Sequence, residues 1–336
     1  MPGTPSSILI SRTDAIGDVV LTLPMASVLK EHFPEATIGF LARGYTQPVV
    51  EACPAVDVIV DADAGLSEGV AAERWDTIVH VFPEPRIAQW ASKVGIPLRI
   101  GTTNRLYHWW TCNRLVPLSR KHSDIHEAQL NLKLLKPLGI DKYLGLDELR
   151  KLRLLKPVAI IPETIQPLLQ TEQKKIILHP TSMGSAREWG LENFRELAVR
   201  LVQAGYSVFI TGTQKDQPVL QPLLGELGDS VHDLSGRLTL PELISFIALC
   251  DGLVAGSTGP LHLAAALGIV AVGLYPAERP MHPGRWAPIG PHASYLTAKE
   301  LASSVTAGLP GITVESVFQH LHAALHNYHH SHSRIV

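Results

Sequence analysis

Gly256-Ser257-Thr258-Gly259-Pro260-Leu261-His262-Leu263-Ala264-Ala265-Ala266-Leu267-Gly268 follows the apolar run Gly252 to Ala255 and precedes a second, Ile269 to Leu274. The order reads as strand, tight turn, helix, strand. Gly256 and Gly259 let the backbone turn sharply and approach a ligand, Thr258 can cap the helix, and Pro260 suits its first turn. Such a helix start offers unpaired N–H groups and partial positive charge to an anion. A phosphate-bearing ligand is therefore expected. The plain alternative is that glycine turns between strand and helix are common and mostly bind nothing.

A similar turn lies far away in the chain. Ser7 to Ser11 is a short apolar strand, and Arg12-Thr13-Asp14-Ala15-Ile16-Gly17-Asp18 leads into an apolar helix over Val19 to Leu29. Two such turns suggest two similar domains facing one cleft. Strand-length apolar runs alternate with helical periods at 7–11, 37–41, 56–60, 77–81 and 98–100, then again at 174–179, 206–210, 252–255 and 269–274. Residues 105–122 are irregular. A helix is expected from Asp124, with Glu127 as its capping partner, to Gly139. Pro157, Pro162 and Pro167 mark a crossing near 155–173. The pattern is α/β, with two doubly wound parallel sheets. The expected divisions are 1–160, 161–312 and a terminal 313–336, whose helix packs back towards the first domain and ends in a His-rich tail.

At 336 residues, 46% hydrophobic and 18% charged, the chain can bury two cores. Its net charge of −2 argues against a dedicated nucleic-acid binder. The total hides an asymmetry. Residues 1–85 carry 4 Lys/Arg against 12 Asp/Glu, and residues 86–156 carry 14 against 5, so a −8 segment adjoins a +9 segment. A local basic surface is available to an anionic partner. Cys53, Cys112 and Cys250 form no C-x-x-C pair, which indicates neither a disulfide framework nor zinc and fits a reducing cytosol. Arg12, Asp14 and Asp18 interrupt the early apolar stretch, unlike a secretory leader, and no run reaches membrane-spanning length. The basic segment leaves room for loose association with an anionic membrane face.

Arg12 to Asp18 with Leu23-Pro24, His179-Pro180-Thr181-Ser182 with Arg187 and Trp189, and Ser257 to Ala265 stand in an order that resembles the glycosyltransferase family 9 heptosyltransferases. His126-Glu127 before a helix ending in Leu138-Gly139 is similar too, and the likeness covers nearly the whole chain. The resemblance implies a GT-B fold, with a nucleotide-sugar donor on the C-terminal domain and an acceptor on the N-terminal one. The implied donor is ADP-heptose, and the implied acceptor is a saccharide of the lipopolysaccharide inner core or a related anionic glycolipid. No cofactor and no metal are implied. The chain departs from the family at Ser257, where Asp is common, and at Arg187, where Lys is common. The first departure bears on which sugar is carried. The second keeps a cation able to grip phosphate at two points.

Inverting transfer from a nucleotide diphosphate needs a base for the acceptor hydroxyl and charge relief for the leaving group. Asp18, entering the first helix, is the candidate base, and the resemblance assigns it that role; its alternative is a helix cap. Asp14 reads as a loop carboxylate. Thr181, Ser182, Ser257, Thr258, Gly259 and Pro260 are expected to hold the diphosphate, with Arg187 adding charge. Asp216, near Gly212, matches the nucleoside region loosely or solvates a helix start. His262 touches the nucleotide or fills the core. Arg12, Arg86, Arg99, Arg105, Arg120 and Lys121 are expected to meet acceptor phosphates, or form a solvated basic face. Trp109 and Trp110 stack on sugar rings or seat against a membrane. Asp61-Ala62-Asp63 has the look of a metal-binding pair, but no nucleotide-binding context precedes it. An epimerase-like nucleotide-sugar enzyme and a catalytically inactive binding protein are the competing classes.

Overall fold

The computed structural model describes residues 4–64, 66, 75–120, 123–141, 144–182, 184, 186–299 and 308–332, the last four by backbone alone. Lys121 and most of the His-rich tail fall outside the described side chains. The chain divides into two compact units, Met1–Leu155 and Lys156–Val336.

The first unit holds six strands: β1 (Ser7–Ser11), β2 (Thr37–Ala42), β3 (Val58–Asp61), β4 (Thr77–His80), β5 (Leu98–Thr102) and β6 (Arg114–Val116). They lie in the order β3-β2-β1-β4-β5-β6, every pair parallel. The second unit holds β7 (Lys175–His179), β8 (Ser207–Ile210), β9 (His232–Asp233), β10 (Gly252–Gly256), β11 (Val270–Tyr275) and β12 (Ala293–Thr297). Their order is β12-β11-β10-β7-β8-β9, again all parallel. In each unit the first strand lies beside the fourth. The connections run away from that pair on both sides, and the two loops leaving its carboxyl ends diverge to form a crevice.

The middles of the central strands are apolar because helices cover both sheet faces. Ile8, Leu9, Ile10, Leu253 and Val254 are fully buried. In the second unit, Ile176, Leu178 and Val272 pack with Phe194, Leu197 and Leu201 of the helix Leu191–Gln203. The terminal helix Val314–His332 lays its apolar row of Val317, Leu321 and Leu325 in the second unit's core.

The expected helix over 19–29 is two helices, Ile16–Val20 and Leu23–His32. Pro24 has no N–H to continue the first ladder, and the Thr22 hydroxyl turns back to the Asp18 carbonyl at 2.8 Å. The helix expected from Asp124 starts at Glu127 behind His126, whose Nδ1 accepts from the Ala128 N–H at 3.3 Å. It tightens to a 3₁₀ helix over Lys133–Leu138, which contains Pro137, and stops at Gly139 with φ 81°. The edge strands β6 and β12 were not foreseen. The first is three residues long, and the second is half-exposed with no apolar run to signal it.

Candidate functional site

Both candidate sites lie at the carboxyl ends of the central strands. In the first unit, β1 delivers Arg12, which is only 3% exposed. Its guanidinium donates to Asp14 Oδ1 at 2.6 Å, to Asp18 Oδ1, and to Glu127 Oε1 at 3.2 Å. Glu127 is fully buried and also accepts from Arg120 Nε at 2.8 Å, while Arg120 reaches Asn131 Oδ1 at 2.8 Å. Asn131 in turn donates to the Leu21 carbonyl and the Thr22 hydroxyl, both at 3.2 Å, closing a network around the break between the two N-terminal helices. Thr13 ties the loops after β1 and β4 together by donating to Glu84 at 2.9 Å.

Among the described residues, three carboxylates thus share two guanidiniums. Removing Asp18 from water raises its pKa; Arg12 pulls it down, and Asp14 and Glu127 push it up again. The balance lifts the carboxyl to about 6. Arg12 is held protonated by its three acidic neighbours, Asp18 foremost, although burial alone would oppose this. Asp18 does not serve as the helix cap. The N-cap is Ala15, which makes no side-chain bond, and the bond of the Asp18 carboxylate goes to Arg12. A carboxylate titrating near neutrality and held by a rigid cation has the properties required of a base.

In the second unit the crevice is dressed with hydroxyls and amides. β7 ends in His179, whose Nδ1 lies 2.9 Å from the Thr211 hydroxyl and whose burial drives its pKa down to about 4. Thr181 and Ser182 follow, both buried. The Ser182 N–H and hydroxyl donate to Glu188 at 2.8 and 2.9 Å, which fixes the loop. That loop folds onto β10, because a Cβ added at Gly256 would lie 3.5 Å from the Arg187 carbonyl oxygen. The helix Gly259–Leu267 starts here behind Thr258. Thr258 makes no side-chain cap, contrary to expectation, and its buried hydroxyl has no partner among the described residues. The first-turn N–H groups of Gly259 and Leu261 therefore have no side-chain cap from Thr258.

Arg187 is partly exposed and pairs loosely with Glu278 at 3.6 Å. Asp216 accepts from the Thr213 N–H and hydroxyl at 2.7 and 2.6 Å. Burial would raise its pKa, but the Thr213 bonds and the nearby Thr181 hydroxyl outweigh it and hold the carboxyl below its ordinary range. Ser257 and Pro260 flank the turn half-buried, and His262 is buried one turn into the helix.

The basic residues of the first unit separate into two kinds. Arg12 and Arg120 belong to the carboxylate cluster, and Arg99 spends its guanidinium on the Ile96 and Thr111 carbonyls at 2.5 and 2.7 Å. Arg86 is largely exposed, with one bond to the Ala62 carbonyl at 2.9 Å and a contact to Glu84 at 3.4 Å. Arg105 is exposed as well. Asp61 and Asp63 accept from the backbone N–H groups of Asp63 and Gly44 at 2.8 and 2.9 Å, and so brace their own loop.

Sequence reasoning missed a buried polar group on the sheet of the same unit. His80 ends β4 opposite Ser11 of β1, and its ring lies 5.7 Å from that of His108. Gly101 makes the space, since a Cβ there would lie 2.7 Å from His108 Nδ1. Burial, with His108 and Arg99 nearby, drives His80 down to about 3, so it is neutral. The one available signal was that β4 and β7 both read as an apolar run ending in His. A cavity of about 910 Å³ lies elsewhere, lined by Thr77, Leu98 and Lys136 at the amino ends of β4 and β5. Doubly wound sheets bind ligands at the other end, and the residues of the cluster are there.

A sequence profile of glycosyltransferase family 9 (heptosyltransferase) matches residues 119–307. A putative glycosyltransferase of Haemophilus influenzae is 27% identical over 300 residues, covering 84% of this chain and 86% of that protein. Lipopolysaccharide heptosyltransferase 2 of Salmonella typhimurium is 23% identical over 358 residues, covering 95% and 98%. The solved structure of the E. coli ADP-heptose lipopolysaccharide heptosyltransferase II superposes with a TM-score of 0.75 at 22% identity, covering 96% of this chain and 99% of that one.

Proposed function

The chain belongs to glycosyltransferase family 9, the heptosyltransferases, and on that footing we propose that it moves a heptose from ADP-heptose onto a saccharide of the lipopolysaccharide inner core, with inversion and without a metal. It is a glycosyltransferase of the GT-B fold. The finer reading assigns the two crevices to the two ends of one transfer. The second unit takes the donor and the first takes the acceptor, at the cytoplasmic face where such precursors are built.

Asp18 is the base. Its carboxylate receives the proton of the acceptor hydroxyl as that oxygen bonds to the anomeric carbon. The bond from that carbon to the diphosphate oxygen breaks, and the electron pair leaves with ADP. Attack from the face opposite the leaving group inverts the centre. The work of Arg12, Glu127 and Arg120 is to hold Asp18 in place and to set its proton affinity. The growing charge on the diphosphate is met by the Gly259 and Leu261 N–H groups, the Thr258 hydroxyl and Arg187. The helix end supplies about 0.3–1 kcal/mol, and up to about 2 where partly buried. Ser182, Ser257 and Asp216 shape the site around the sugar and nucleoside. Arg86 and Arg105 remain open to acceptor phosphates.

The observation that carries the reading is the carboxylate of Asp18, lifted to about 6 and gripped by a buried arginine at the end of β1. The experiment measures protection against thermal unfolding by a panel of nucleotide sugars, then ADP release with and without a lipid A-type acceptor, with and without a chelator. The reading expects protection by adenosine donors and release that requires acceptor and ignores the chelator. Release without acceptor would favour an epimerase-like enzyme, and protection without release an inactive binder. Loss of release on chelation would overturn the metal-independent route.

A further inference from the structure

After β5 the chain makes one helical turn, in which the His108 N–H donates to the Arg105 carbonyl at 3.0 Å, leading into the short helix His108–Thr111. The polarity of this turn is reversed. It buries its polar residues, with His108 at 0% and Thr111 at 3% exposure. It exposes its apolar ones, with Leu106 at 79%, Trp109 at 61% and Trp110 at 67%. Spacings of three and four residues bring these three onto one face of the turn. A turn built for water would carry the opposite pattern.

The face is held rigid. The Trp109 indole N–H donates to the Thr103 carbonyl at 3.1 Å, the Thr111 hydroxyl to the Tyr107 carbonyl at 2.7 Å, and the Thr102 N–H to His108 Nδ1 at 2.9 Å. The sequence around it carries one sign of charge. No acidic residue occurs between Glu84 and Asp124. Arg105 lies one helical turn before Trp109, Arg114 follows at the start of β6, and both are exposed. Neither makes an ion pair among the described residues. Two exposed indoles and a leucine near two exposed guanidiniums match the interfacial zone of an anionic bilayer, where tryptophan sits at headgroup depth and arginine meets phosphate. Among the described residues no helix is long and apolar enough to cross a membrane, so attachment would be at the surface.

We propose that the Leu106–Trp110 turn, flanked by Arg105 and Arg114, is a docking surface for an anionic phospholipid bilayer. This deepens the acceptor half of the function above, since a lipid-linked acceptor lies in such a surface; it shares Arg105 with that reading, whereas Leu106, Trp109, Trp110 and Arg114 have no part in the transfer.

The test is co-sedimentation of the full chain with vesicles of phosphatidylcholine alone or mixed with phosphatidylglycerol, together with Trp fluorescence. The wild-type chain binds the anionic vesicles, and added salt weakens the binding. Trp109→Ala with Trp110→Ala lowers the partition coefficient by about tenfold or more. Arg114→Glu lowers it by about fivefold or more. Both sites are solvent-facing, so folding should survive, as thermal melts would verify. The Trp variant keeps its transfer rate on a soluble, delipidated acceptor, so failure of docking and failure of the chemistry appear in separate assays. Equal partition of wild type and Trp variant overturns the proposal. So does indole quenching by soluble saccharide without lipid, which gives the face to sugar, or a Trp-dependent dimer in ultracentrifugation, which gives it to a second copy.

Discussion

The two units use one strand order for opposite electrostatic purposes. At the β1/β4 crevice the side chains are ionisable and pair with each other: Arg12 binds Asp14, Asp18 and Glu127, and Arg120 binds Glu127 again. At the β7/β10 crevice the inward groups are mostly hydroxyls and amides, Thr181, Ser182, Thr258 and the N–H groups of a helix start, beside a His179 kept neutral by burial. The carboxylates of Asp216 and Glu188 are taken up by neighbouring donors. A paired cluster can tune the proton affinity of one member, because each neighbour shifts the others. An array of neutral donors cannot do that, yet it can accept a doubly charged guest at little desolvation cost. The same scaffold therefore divides into a half suited to moving a proton and a half suited to holding an anion.

The sharpest way to break this contrast is Asp18→Asn. Transfer should fall by about 10²–10⁴ while ADP affinity, measured by titration calorimetry, stays within error. A variant that still turns over normally would remove the proton-moving role from the first unit. Glu127→Gln comes next. It leaves the buried Arg12 and the half-buried Arg120 without their shared carboxylate, and breaking such a buried pair costs about 3–5 kcal/mol of stability, read as a lowered denaturant midpoint. It should also shift the acid limb of the rate profile, because Glu127 helps to raise Asp18. An unchanged limb would mean that Glu127 is only structural. Arg187→Ala tests the anion-holding half. Loss of a charge-assisted bond of about 1.5–3 kcal/mol should weaken ADP binding by tenfold or more and leave the pH limb in place.

The smallest effect is on stability against pH. His179 and His80 fold with pKa values of about 4 and 3 against an ordinary 6.5, so the stability they contribute is complete above 6.5 and is lost as the pH falls towards those values. Asp18 runs the other way. Lifted to about 6 from 3.8, its contribution is present at low pH and is lost as the pH rises through about 6. Thermal melts from pH 7 to 5 should therefore lose stability, and more steeply in Asp18→Asn than in the wild-type chain. Parallel slopes would show that Asp18 is not raised.

Much of this was legible in residue order. Gly256 to Gly268 read correctly as strand, turn and helix, because glycines, a proline and an unbroken apolar run constrain the backbone locally. The continuous apolar strands announced parallel sheets covered on both faces. The partners of Arg12 were not legible. It was expected to face an acceptor, whereas its bonds join residues 12 and 127, which only the fold brings together. The reversed polarity of the Leu106–Trp110 turn was equally hidden, since pattern shows which residues share a face but not which face water reaches.

By itself, the sequence determined the family, the alternation of strand and helix, and the two glycine turns, all of which depend on short-range sterics and hydrophobic spacing. Only the tertiary structure decided which charges meet, how far Asp18 is drawn out of water, and which side of a turn is buried. Those are properties of distance and dielectric between groups far apart in the chain, and residue order does not encode them one position at a time.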